Sequence, residues 1–260
     1  MNILCIGDVT GEIGCEYLRK ILPDLKKELK ADITIVNGEN SADGNGITPH
    51  SADSLFAAGA DVITGGNHSL RRREVFERLE SDPFLLRPQN MSENAHGKGY
   101  CVLDLGRTRA AVINLTGRVY MPDAADPFKA ADELIERARA DSIKYIIIDF
   151  HAEATAEKMA LGYFVDGRVS AVFGTHTHVL TADPKVLPNG TGFITDIGFT
   201  GPVDSVLGVK KELSLARIKD GTPVKFTLAN GKCALNGVLF ELDDKTGLCK
   251  GVKTVVSEEI

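Results

Sequence analysis

No apolar run in the 260-residue chain approaches the roughly 20 residues that a helix needs to cross a bilayer. The longest stretches, such as Met159–Val165, stop well short of it. No CxxC pair occurs. The five cysteines (Cys5, Cys15, Cys101, Cys233 and Cys249) are odd in number, which argues against a disulfide framework and against a thiolate zinc site. Cationic excess is missing too. Thirty Lys and Arg against 36 Asp and Glu leave a net charge of −6, whereas a broad nucleic-acid binder needs a dense positive face to displace counterions. Met1–Asp8 has no basic segment and reaches a carboxylate too soon for a signal peptide. We therefore expect a cytoplasmic protein with no membrane partner and no broad nucleic-acid partner. A homo-oligomer stays open.

What is present is an alternation. Hydrophobic residues at 43% and charged residues at 25% are ordinary for a globular chain, with no internal repeat or low-complexity segment. Short apolar runs predict strands at Asn2–Gly7, Ile33–Val36, Ala60–Thr64, Tyr145–Asp149 and Val169–Phe173. Helical spacing predicts helices at Ile13–Leu29, Thr48–Ala58, Leu70–Leu79, Asp126–Ala140 and Ala156–Tyr163. Pro49 and Gly59 punctuate the second of these. Gln89–Gly99 reads as a loop. Tyr100–Leu105 and Ala110–Leu115 read as a β pair around Gly106-Arg107-Thr108. From Gly190 onward the pattern predicts only strands and turns, with Phe193–Thr195, Leu213–Lys219, Ala234–Asp243 and Leu248–Val256 pairing antiparallel. The expected architecture is α/β: two mixed β-sheets packed face to face with flanking helices, in one domain spanning 1–260.

The polar residues fall at strand ends. The first strand ends in Gly7-Asp8, the second in Asn37-Gly38-Glu39-Asn40 and the third in Gly65-Gly66-Asn67-His68. Later strands end in Asp149-Phe150-His151 and in Gly174-Thr175-His176-Thr177-His178. In an open α/β sheet such tips line one crevice, where ligands bind. Carboxylate, carboxamide and imidazole donors together favour Fe, Mn, Zn or Co over Mg or Ca. They are too many for one tetrahedral ion and suit two ions about 3.5–4 Å apart, with Glu39 as the natural bridge.

Singly, each residue has a plainer reading. Asp8, or Asn67 and His68, could cap a following helix, Glu39-Asn40 could be a polar turn, and His151 a core histidine. His176-x-His178 is harder to explain by packing, and the joint order favours metal.

That order (Gly-Asp, Gly-Glu-Asn, Gly-Asn-His, His, Gly-x-His-x-His) resembles the calcineurin-like metallophosphoesterase superfamily, and within it the YmdB-type phosphodiesterases, which are 2′,3′-cyclic nucleotide hydrolases. The resemblance runs nearly the length of the chain, through Thr195-Asp196-Ile197-Gly198 and Thr200-Gly201-Pro202. It implies a four-layer αββα fold. It also implies one metal on Asp8, Glu39, Asn40 and His178, a second on Glu39, Asn67, His151 and His176, and His68 as general acid. Iron is the implied metal, with manganese or zinc as alternatives, and a hydroxide bridging the two ions is the implied nucleophile. Where the broader superfamily has a His two residues after the first Asp, this chain has Thr10, and its bridging carboxylate is Glu39 rather than Asp; both departures match the YmdB-type pattern. A phosphomonoesterase or 5′-nucleotidase, or a metal-containing nucleotide- or RNA-binding regulator, are the alternative functions.

Four features stay outside this set. Arg71-Arg72-Arg73 reads as a charged helix face that could attract phosphate. His96 reads as a solvated loop residue, Arg118 as a phosphate contact or lid residue, and Gly44 and Gly46 as a turned loop beside Glu39.

Overall fold

The computed structural model describes residues 1–43, 45–121 and 124–259. Period-2 burial builds two sheets. The first has the order β2(Asp8–Val9), β11(Phe199–Pro202), β12(Cys233–Leu242), β1(Asn2–Ile6), β3(Ile33–Asn37) and β4(Val62–Thr64), with β13(Cys249–Glu258) paired to β12. The second has the order β5(Tyr100–Asp104), β6(Arg109–Thr116), β7(Tyr145–His151), β8(Ala171–Thr175), β10(Gly192–Ile194) and β9(Lys185–Val186). Parallel pairs join β1, β3 and β4 in one sheet, and β6, β7, β8 and β10 in the other. Both sheets are mixed, as the sequence predicts.

Alternation assigns each side chain to a layer. Ile3, Cys5, Ile33, Ile35, Val238 and Phe240 point between the sheets and meet Val112, Ile147, Phe173 and Ile194. Leu4, Ile6, Val36 and Ile63 point the other way, onto α1(Gly11–Leu29) and α2(Pro49–Ala58). On the far side Ile113, Ile146, Ile148 and Phe150 pack with α4(Pro127–Ala140) and α5(Thr155–Phe164). These are the four expected layers. Local chemistry sets the helix ends. Thr48 Oγ1 accepts from Ser51 N–H at 3.1 Å ahead of Pro49, and Gly59 closes α2 at φ 115°.

Three local expectations fail. Leu70–Leu79 is not one helix: turns follow His68, and only a 3₁₀ turn at Arg73–Val75 and a short α3(Phe76–Ser81) form. Leu213–Lys219 is not a strand but lies in α6(Lys211–Ile218). Gly192–Ile194 pairs parallel with β8, and only its other edge, on the two-residue β9, is antiparallel.

Candidate metal centre

Each strand tip delivers its side chain to one crevice between the sheets. Beneath it Asp149, buried in β7, accepts hydrogen bonds from Asn37 Nδ2 (3.0 Å), Thr64 Oγ1 and Thr175 Oγ1 (2.7 Å), tying the two sheets together. Burial pushes the Asp149 carboxyl up to about 6 despite those donors. Thr175 Oγ1 also meets His151 Nδ1 at 2.9 Å, which orients the ring so that Nε2 points into the crevice.

His151 Nε2 lies 3.3 Å from Glu39 Oε2, 3.0 Å from Asn67 Oδ1 and 3.0 Å from His176 Nδ1. Donor atoms this close are spaced like the edges of a coordination polyhedron with bonds of about 2.0–2.2 Å. Glu39, His151 and His176 each turn one ligand atom to a common point. A second group adjoins it. Glu39 Oε1 accepts from Asn40 Nδ2 at 2.9 Å, Asn40 Nδ2 is 3.3 Å from His178 Nε2, and His178 Nε2 is 3.8 Å from Asp8 Oδ1. Asp8 is fully buried, and its Oδ1 has no hydrogen-bond partner among the described residues. An orphaned carboxylate oxygen is costly unless something positive meets it, so the donor set fits a metal. Glu39 brings one carboxylate oxygen to each group, Oε2 to His151 and Oε1 to Asn40.

Charges within the centre are strongly coupled. Burial opposes ionisation of Glu39, yet His151 and His68 hold it well below the usual carboxylate range. Burial also works against a charged His151, but Glu39, Asp8 and Asp149 lift it to about 9. His176 goes the other way, to about 3, through burial and the neighbouring His151. Burial raises Asp8.

The backbone is shaped to the centre. His176 (φ 102°) and His178 (φ 62°) both occupy the left-handed region, which costs about 1–3 kcal/mol each and is typical of functional turns. The turn is pinned by Asp196, whose Oδ2 accepts from Thr177 N–H at 3.1 Å and pairs with buried Lys158 Nζ at 2.6 Å. At Gly66 any side chain is excluded. A Cβ there would sit 2.2 Å from Glu39 Oε2 and 2.3 Å from His151 Nε2.

The plainer readings of the single residues fare differently: His151 is indeed fully buried. Thr10, not Asp8, precedes α1, and it makes no side-chain cap. Asn67 meets His151 rather than capping a helix. Glu39 does sit in a turn, its N–H bonded to Asn37 Oδ1 at 3.2 Å. His68 stands beside the cluster, its N–H on Glu39 Oε2 at 3.0 Å and its Nδ1 3.0 Å from Asn40 Oδ1. Glu153, absent from the sequence reading, brings Oε2 to 3.2 Å from His176 Nε2. It lies two residues after His151, a position with no motif to flag it.

Other candidates are elsewhere. His96 stacks on Phe76 and meets Glu80 Oε1 at 3.1 Å. Arg118 lines a separate cavity with Glu157. Arg71 and Arg73 are exposed, whereas Arg72 reaches back to the carbonyls of Asp43 and Asn45. Gly46, at φ 83°, backs onto Arg72, and Gly44 lies outside the described residues.

The profile of the family described as YmdB-like protein matches residues 4–255. The chain belongs to the YmdB-like family. It is 50% identical over 246 residues to the 2′,3′-cyclic-nucleotide 2′-phosphodiesterase of Bacillus subtilis (strain 168), covering 95% of this chain and 93% of that one. A hypothetical protein from Thermus thermophilus superposes with a TM-score of 0.94 at 39% identity, both chains fully covered. Beyond the YmdB-like family, the 5′-nucleotidase precursor of the same organism superposes with a TM-score of 0.62 at 13% identity, over 98% of this chain and 54% of that one, a likeness of fold alone. The αββα fold implied by the resemblance is thus the observed one.

Proposed function

We propose that this YmdB-like chain, acting as a single domain, is a metal-dependent phosphodiesterase that opens 2′,3′-cyclic nucleotides. The observation that carries this reading is the convergence of the donor side chains around Glu39, with Asp8 Oδ1 left bare beside them. The activity of the 50%-identical relative supports the substrate class. Asp8, Glu39, Asn40 and His178 would hold one ion; Glu39, Asn67, His151 and His176 the other. Asn40 turns its amide nitrogen to His178, so ligation through oxygen requires a half-turn of the carboxamide. The mixed N/O donor set suits Fe, Mn, Zn or Co, and among these the resemblance implies iron, with manganese or zinc as substitutes. Bound there, two ions supply Lewis-acid polarisation of the phosphoryl oxygens and a water made nucleophilic at neutral pH.

The chain's own contribution to bond cleavage is His68. Glu39 Oε1, 3.4 Å from its Nδ1, holds that side of the ring, which leaves Nε2 for the departing ribose oxygen. Protonated, His68 donates to that oxygen as the cyclic ester opens, a step worth about 10²–10⁴-fold. The five cysteines are all free and buried, which suits the reducing cytoplasm where we place the protein.

His68→Ala tests this directly. The variant should keep its metal and lose about 10²–10⁴-fold in kcat on a cyclic nucleotide. Full activity in that variant removes the acid assignment. Faster hydrolysis of p-nitrophenyl phosphate than of its bis ester by the native enzyme favours a monoesterase instead.

A further inference from the structure

The crevice that holds the ligand cluster has an apolar side as well. His68, His176 and His178 share a cavity of about 270 Å³ with Leu207, Val209, Phe226 and Leu228. All four apolar residues come from 203–232, the excursion that the chain makes between β11 and β12. The excursion is anchored to the centre. His178 Nδ1 lies 3.2 Å from the Leu207 carbonyl, and Val209 forms bridges with both Val206 and Leu228. Leu207 is itself left-handed (φ 54°).

Phe226 stands out in this group. It is 41% exposed although aromatic, and the Arg217 guanidinium lies 5.4 Å from its ring centroid. An exposed ring beside a polar centre gains nothing from the core that Leu4 or Ile6 gains. It does offer a flat apolar face to whatever enters the cavity. Such a cavity, with the candidate metal ligands and apolar side chains together, matches a molecule that carries a charged ester next to a planar ring.

Resting on the phosphodiesterase reading above, we infer that Leu207, Val209, Phe226 and Leu228 form the base subsite and that Phe226 is its specificity-determining residue. These four residues recognise the base by stacking and apolar contact, which every base offers. The presence of a base therefore matters and its identity matters little. The volume, about 270 Å³, lies just below the roughly 300–1,000 Å³ of small-molecule sites, which suits a mononucleotide rather than a longer chain.

The test compares the metal-loaded enzyme on the four nucleoside 2′,3′-cyclic phosphates and on methyl riboside 2′,3′-cyclic phosphate, which has the reacting ring without a base. The native enzyme should show a KM about tenfold lower for the nucleosides, similar across the four bases. In Phe226→Ala that ratio should fall towards one, and Phe226→Tyr should restore it. Because the chain has no tryptophan, quenching of 2-aminopurine riboside gives a second readout on metal-free protein; Phe226→Ala should abolish it. Equal KM values for base-bearing and base-free esters, or an undiminished ratio in Phe226→Ala, overturns the subsite. So does a lower KM for RNA ending in the same cyclic phosphate than for the mononucleotide. No hydrolysis of any of these esters by metal-loaded native enzyme refutes the phosphodiesterase reading instead, while riboside quenching still reports on the subsite.

Discussion

At Gly66 a single hydrogen atom decides whether the centre exists. A methyl group in its place would overlap Glu39 Oε2 and His151 Nε2, two atoms held by buried strand ends that cannot retreat. Gly66→Ala should therefore lose metal while folding normally, as read by elemental analysis beside circular dichroism; a fully loaded variant contradicts this. A second expectation concerns protons. Without metal, burial opposes a charged His151, but its carboxylate neighbours raise it to about 9, so it is protonated at pH 7, whereas His176, lowered to about 3, is already neutral. A ligand must be neutral. Metal loading at pH 7 should release about one proton from His151, a release that vanishes as pH rises through about 9. Titration calorimetry in two buffers of different ionisation enthalpy reads it, and equal release at pH 7 and above pH 9 argues against the coupling. The candidate ligands were legible residue by residue, because Asp8, Glu39, Asn67, His151 and His176 each stand at or just beyond the end of a strand whose apolar run the sequence shows. Glu153 and Phe226 were not: one follows no motif, and the other depends on how an irregular excursion folds back.

Among the elements, the legible ones were those with a buried face. β1, β3 and β7 read correctly because alternate residues fill two different cores. α6 read wrongly because most of it packs on nothing. Leu215 and Ile218 are exposed and only Ser214 is buried, so its apolar spacing reports no interior. Leu70–Leu79 failed for a different reason. Arg71 N–H turns back to the His68 carbonyl and Arg72 is spent on the carbonyls of Asp43 and Asn45, which delays the helix to Phe76. The turn at His176–His178 carries a prediction of its own. Its two left-handed residues are held by Asp196, which Lys158 pairs in full burial. Asp196→Asn leaves that lysine buried and uncompensated, a change that costs about 3–5 kcal/mol in such pairs. The variant should show a lower Tm and weaker metal retention under a chelator. Native metal retention would mean that the turn holds its shape unaided.

At the scale of the molecule, the two sheets matter because they bring opposite halves of the chain together. Asp8, Glu39 and Asn67 come from the first sheet; His151, His176 and His178 come from the second. Asn37 and Thr64, both bonded to Asp149, are the polar struts between them. No segment holds the centre alone, so its existence depends on the whole sandwich, and Glu39 is where both ligand groups meet. The most direct measurement is the metal content of the reconstituted protein and of Glu39→Gln, each checked for native secondary structure. The account predicts about two transition-metal ions per native chain and loss of both in the variant. One ion or none in the native protein, or two retained in Glu39→Gln, would contradict it.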